Sequence, residues 1–71
     1  MMPSDVVEFP WDGHTYAIPS TRVADQVICM PGGTKKLVVR SWKPNGSPHV
    51  LVELNSSNAP EDVCIYAMLV S

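Results

Sequence analysis

Apolar and polar residues alternate at every second position through much of this chain, and the alternation is interrupted by bends rich in glycine and proline. The run from Val6 to Ile18 shows it most clearly. At its centre lies Asp12-Gly13, a dipeptide suited to a two-residue type I′ turn, in which both central residues take positive φ. Pairing about that turn sets Trp11 opposite His14, Phe9 opposite Tyr16 and Val7 opposite Ile18. All six share one face, while Glu8, Pro10, Thr15 and Ala17 share the other. Residue 10 then points its backbone nitrogen away from its partner strand. Proline has no N–H to offer there, so Val6 to Trp11 is expected at the edge of a sheet.

A second hairpin occupies Lys36 to Leu54. The strand-like runs Leu37 to Trp42 and His49 to Leu54 flank Lys43-Pro44-Asn45-Gly46-Ser47-Pro48, in which proline pre-sets φ, asparagine tolerates the following conformation and glycine closes the bend. Pairing Trp42 with His49 puts Leu37, Val39, Val50, Val52 and Leu54 on a core face. Arg40, Trp42, His49 and Glu53 then lie on the opposite face, and a one-residue slip would exchange the two sets.

Gln26 to Met30 forms a further strand, turned back by Pro31-Gly32-Gly33. With Gly32 and Gly33 as the loop, Ile28 faces Leu37 and Val27 faces Val38, and Gln26, Ile28 and Met30 point to the core. Between Pro19 and Asp25 the chain has room for one helical turn capped by Ser20 or Thr21. The carboxyl-terminal run from Val63 to Val70 is apolar and rich in β-branched and aromatic residues. It reads as a strand buried on both faces. The alternative is a short helix begun by the capping box Asn58-Ala59-Pro60-Glu61.

These elements predict an all-β protein of about five to six short strands, forming one small β domain over residues 1–71. Short connections favour antiparallel pairing, in a small barrel or a two-layer sheet, with the barrel preferred. A chain of 71 residues buries only about 60% of its unfolded surface and needs support beyond its core. Its hydrophobic content is 45% and its charged content only 17%, against a usual ~25%. So little polar surface favours self-association or a protein partner. The plainer alternative is a monomer carrying ordinary exposed apolar atoms.

Net charge is −2, which gives no general attraction to nucleic acid or acidic membranes. All five basic residues nevertheless lie between Arg22 and Lys43. No apolar run approaches the ~20 residues of a spanning helix, and the first residues lack a basic stretch followed by an apolar one, so no membrane partner is expected and the expected location is cytoplasmic. Cys29 and Cys64 do not form a CxxC pair, and in that compartment they read as two small buried hydrophobes, with a disulfide as the lesser alternative.

Candidate chemistry is sparse. His14, Cys29, His49 and Cys64 stand singly on different strands, without the short-spaced pairs of a zinc site, so no metal and no cofactor is expected. A nucleophilic cysteine would need a histidine beside it in a cleft, and a chain this small has little room for both cleft and core. Catalysis is therefore not expected.

Two contact surfaces remain. The first is a protein interface at an edge strand, either Val6 to Trp11 or the carboxyl-terminal strand, with Val6, Glu8, Pro10, Trp11 and Tyr66 as candidate residues and a second copy of the chain as the expected partner. The second is a basic and aromatic strand face of Lys35, Lys36, Arg40, Trp42, Lys43 and His49, which would suit stacking and phosphate contacts to single-stranded nucleic acid. The first reading, a small non-catalytic interaction or accessory module that self-associates, is preferred.

Overall fold

A computed structural model of the chain describes residues 5–33, 35–54 and 63–71. Among these residues seven strands make two sheets: β1 (Val6–Trp11), β2 (His14–Pro19), β3 (Val27–Cys29), β4 (Lys36–Trp42), β5 (Pro48–Leu54), β6 (Cys64–Tyr66) and β7 (Met68–Leu69). One sheet has the order β1-β2-β7 and the other β5-β4-β3-β6. The fold is all-β with two small sheets, and the two do not close into the barrel that the sequence pattern favoured. The candidate capping box at residues 58–61 lies outside the described residues. The run that follows it is extended, as β6 and β7.

The amino-terminal hairpin follows its alternation residue by residue. Trp11 faces His14, Phe9 faces Tyr16 and Val7 faces Ile18. Asp12 and Gly13 take φ of 51° and 80°, the two positive values a type I′ turn requires. β1 is an edge strand with β2 as its partner, as Pro10 demands. Phe9 and Ile18 are almost fully buried, and the Phe9 and Tyr16 rings lie 5.9 Å apart across the ladder. The second predicted pairing also holds: Ile28 faces Leu37 and Val27 faces Val38. Between these hairpins, Pro19 to Asp25 forms no helical turn, and Arg22 and Asp25 take positive φ of 52° and 56° instead.

The β4–β5 hairpin departs from the expected register. Lys43 N–H donates to the Ser47 carbonyl and Gly46 N–H to the Lys43 carbonyl, so the loop proper is only Pro44-Asn45-Gly46. The Asn45 side-chain oxygen accepts from Ser47 N–H and from its hydroxyl, which fixes the loop. Closure at Lys43 and Ser47 sets Trp42 against Pro48 rather than His49, and Val39 against Leu51. Arg40 and His49 fall at the irregularities of the ladder. A single-residue change of register exchanges faces, so Leu51 packs on the core while Val50 and Val52 are exposed. Glu53 now faces the same side as Leu37, but β5 is the margin of its sheet and Glu53 stays in solvent.

The core lies between the sheets. Phe9 and Ile18 from one meet Ile28, Leu37 and Val39 from the other, with Met30 and Ala67 completing the cluster. Trp11, Trp42, Tyr16, Leu51 and Ile65 pack around it. Full burial of a side chain of this kind contributes about 1.5–3 kcal/mol, a large share of the small net stability of a domain this size.

A covalent link supplements that core. Cys29 and Cys64 are joined in a disulfide, with their Cα atoms 5.7 Å apart. The expectation of two separate buried thiols is therefore corrected. Its cause is β6, which lies parallel to β3 with Val27 beside Cys64 and Cys29 beside Tyr66. The two sulfurs thus project from adjacent strands on one side of the sheet. That parallel pairing also departs from the wholly antiparallel sheet inferred from short connections. β6 follows β5 in sequence but joins the far end of the sheet, beside β3.

Candidate functional site

The carboxyl-terminal segment belongs to both sheets. β6 pairs with β3 and, after Ala67, β7 pairs with β2 in antiparallel sense. Ala67 N–H donates to the Cys29 carbonyl in one sheet, while Val70 N–H donates to the Thr15 carbonyl in the other. Thr15 N–H in turn donates to the Ser71 carbonyl. The segment thus runs along the margin where the two layers meet, with Ala67 buried between them and Ile65 packed on the core.

Apart from Cys64, which is half-buried in the disulfide, its remaining side chains are in solvent. Tyr66 is 70% exposed, Met68 65%, Leu69 57%, Val63 55% and Val70 49%. Five large apolar groups therefore lie within eight consecutive residues, and no charged side chain occurs from Val63 to Ser71. The strand expected over this run is present, but its expected burial on both faces is not. β6 and β7 each end the order of their sheet, and no further strand covers them among the described residues.

Backbone groups on this margin follow from the ladders. Alternation with β3 turns Ala67 N–H inward, so Tyr66 directs its N–H and carbonyl outward. In β7 the inward residues are Met68 and Val70, so Leu69 faces outward. The change of partner at Ala67 breaks the regular two-residue period, so the outward residues nearest the break are Tyr66 on one side and Leu69 on the other.

The β1 margin is less open, whereas β5, the remaining edge strand, carries exposed Val50 and Val52 beside His49 and Glu53. On β1 the outward residues are Val6, Glu8 and Pro10; Glu8 adds a charge and Pro10 lacks the N–H. Trp11, which with Tyr66 completes the sequence-derived interface set, packs against the core, and its indole nitrogen is buried without a hydrogen-bond partner. Of the sequence-derived set, Tyr66 alone belongs to the apolar margin. Val63, Met68, Leu69 and Val70 were not among the expected contact residues, because an uninterrupted apolar run reads the same whether it lies in a core or along an exposed edge.

The basic and aromatic candidates are spread out. Lys36 is buried at 8% exposure, whereas Lys35, Lys43 and His49 are exposed. Arg40 pairs with Asp25 at 2.7 Å. Trp42 packs against the core, and its indole N–H donates to the Val23 carbonyl at 2.9 Å. That indole edge is thus already committed within the fold.

A polar cleft of about 540 Å³ lies between Asp5 to Val7, Ser20 to Arg22 and Asn45. Its walls are tied together by Ser20 N–H donating to the Asp5 carbonyl, the Ser20 hydroxyl donating to the Gly46 carbonyl and Arg22 donating to the Pro44 carbonyl. Neither sulfur is available as a thiol, since both are in the disulfide. Among the described residues no three of His, Cys, Asp and Glu come together as a metal site. No helix among them is long and apolar enough to cross a membrane. No protein-family model, curated protein or solved structure matches the chain. What fold and site define together is a small two-sheet β protein, stapled by one disulfide, with an apolar margin shared by both sheets.

Proposed function

We propose that this chain is a small non-catalytic contact module that self-associates through an edge strand, and that the working edge is the carboxyl-terminal one rather than Val6–Trp11. The observation that carries the reading is the group of five exposed apolar side chains, Val63, Tyr66, Met68, Leu69 and Val70, on a margin with outward backbone groups. An exposed apolar edge is unfavourable in water and is normally covered, shortened or charged. Here no charged side chain occurs from Val63 to Ser71, which supports a surface kept for contact.

The second reading, single-stranded nucleic-acid binding, draws less support. Its face loses Lys36 to burial, Arg40 to an ion pair and the Trp42 indole to the core. The disulfide also bears on location, because such bonds persist mainly in oxidising compartments. It favours a setting that keeps the bond over the cytoplasm expected earlier.

Sedimentation equilibrium at low and high salt tests the function. Apolar edge contact predicts concentration-dependent association that changes little between 50 and 500 mM salt. An association that instead collapses with salt and requires an oligonucleotide would favour the second reading.

A further inference from the structure

The margin also specifies its occupant. We infer that the partner is a second copy of this chain, added antiparallel about a twofold axis passing between Ala67 and Met68, so that Tyr66 of each copy pairs with Leu69 of the other. This inference rests on the proposed self-association and adds its geometry.

Three observations lead to it. Tyr66 and Leu69 are the outward-facing residues that flank the change of partner, and they lie at equal distances on either side of that axis. Antiparallel addition about it gives each copy's Tyr66 N–H the other's Leu69 carbonyl, and each Leu69 N–H the other's Tyr66 carbonyl. A closed twofold contact needs such a self-complementary patch.

Charge is the second observation. With no charged side chain from Val63 to Ser71, the strand itself brings no like charges together in a contact between two copies, and the lysines nearest to it, Lys35 and Lys36, lie on the Tyr66 side.

Area is the third. The exposed parts of the five apolar residues amount to at most on the order of 600 Å² per copy, so their complete cover in two copies would reach the lower end of a standard stable interface, about 1,200 Å². The disulfide holds β6 against β3 and so presents the edge already formed, which lowers the ordering cost of association.

The test uses the full oxidised chain. Sedimentation equilibrium from 1 μM to 1 mM is combined with amide hydrogen exchange at both ends of that range, for wild type, Leu69→Pro and Tyr66→Lys. Leu69 N–H faces away from β2, so proline there removes the outward donor, together with the Leu69 side chain, without breaking a ladder bond of the monomer. Circular dichroism of each variant, expected to match the wild type, checks that the fold is kept. The expected result is a wild-type dimer in which the Tyr66 and Leu69 amides gain protection as concentration rises, with both variants dissociating at least about 100-fold more readily. A dimer that persists in Leu69→Pro, with both amides exchanging freely, would overturn this geometry while leaving self-association standing. A wild type that stays monomeric to 1 mM would overturn both.

Discussion

The bond between Cys29 and Cys64 spans 35 residues of sequence. Closing a loop of that length removes denatured-state entropy worth about 4 kcal/mol at 25 °C in the chain-entropy account. A domain of this size has a total stability of about 4–11 kcal/mol, so the cross-link accounts for a third of it or more. The Cys29→Ser, Cys64→Ser double variant, which leaves no odd thiol to cross-link copies, should lose about 4 kcal/mol in guanidinium unfolding. Its Tm should fall by about 15–30 °C. Loss should begin at β6, which has only three paired residues: hydrogen exchange of the Ala67 amide, bonded to the Cys29 carbonyl, should accelerate well before that of Val39. A double variant within about 1 kcal/mol of the oxidised protein would refute the reasoning. It would mean that β6 is held by packing of Ile65 and Ala67 alone.

Other perturbations probe separate parts of the fold. Gly46→Ala should destabilise by about 2 kcal/mol or more in urea unfolding, because φ is +92° and the new Cβ would fall 2.2 Å from the Ser20 hydroxyl; Gly13→Ala, with the same kind of φ but open space, should cost only about 1 kcal/mol. Phe9→Ala removes a ring that is 2% exposed and should cost about 3–5 kcal/mol, leaving much of the protein unfolded at 37 °C by circular dichroism. Arg40→Ala breaks an ion pair between side chains 51% and 68% exposed and should change stability by less than about 1 kcal/mol in the same measurement. Arg40→Glu should leave sedimentation of the protein unaltered, and a large loss of oligonucleotide binding in that variant would instead revive the nucleic-acid reading.

Strand identity and local pairing were legible in the residues themselves. Asp12-Gly13 specifies the amino-terminal hairpin because few other dipeptides take two positive φ values in succession, and the alternation on either side leaves one register that buries Phe9 and Ile18. Pro10 marks its strand as an edge by lacking a donor. In the β4–β5 hairpin the strands were legible but their register was not. The six residues Lys43 to Pro48 admit more than one loop length, and the Asn45 hydrogen bonds that select the three-residue loop exist only once Ser47 is folded back on it.

The sequence by itself thus determined an all-β chain, its bends, two of its three hairpin registers and the central core residues, since each depends on side-chain period and on turns a few residues long. Tertiary structure alone decided that β6 lies parallel to β3, that Cys29 and Cys64 meet, and that the apolar carboxyl-terminal run ends on an open margin instead of inside. Those outcomes depend on which distant strand lies alongside the last segment. Local alternation carries no information about that choice, because it is settled by the packing of Ile65 and Ala67 between two completed sheets.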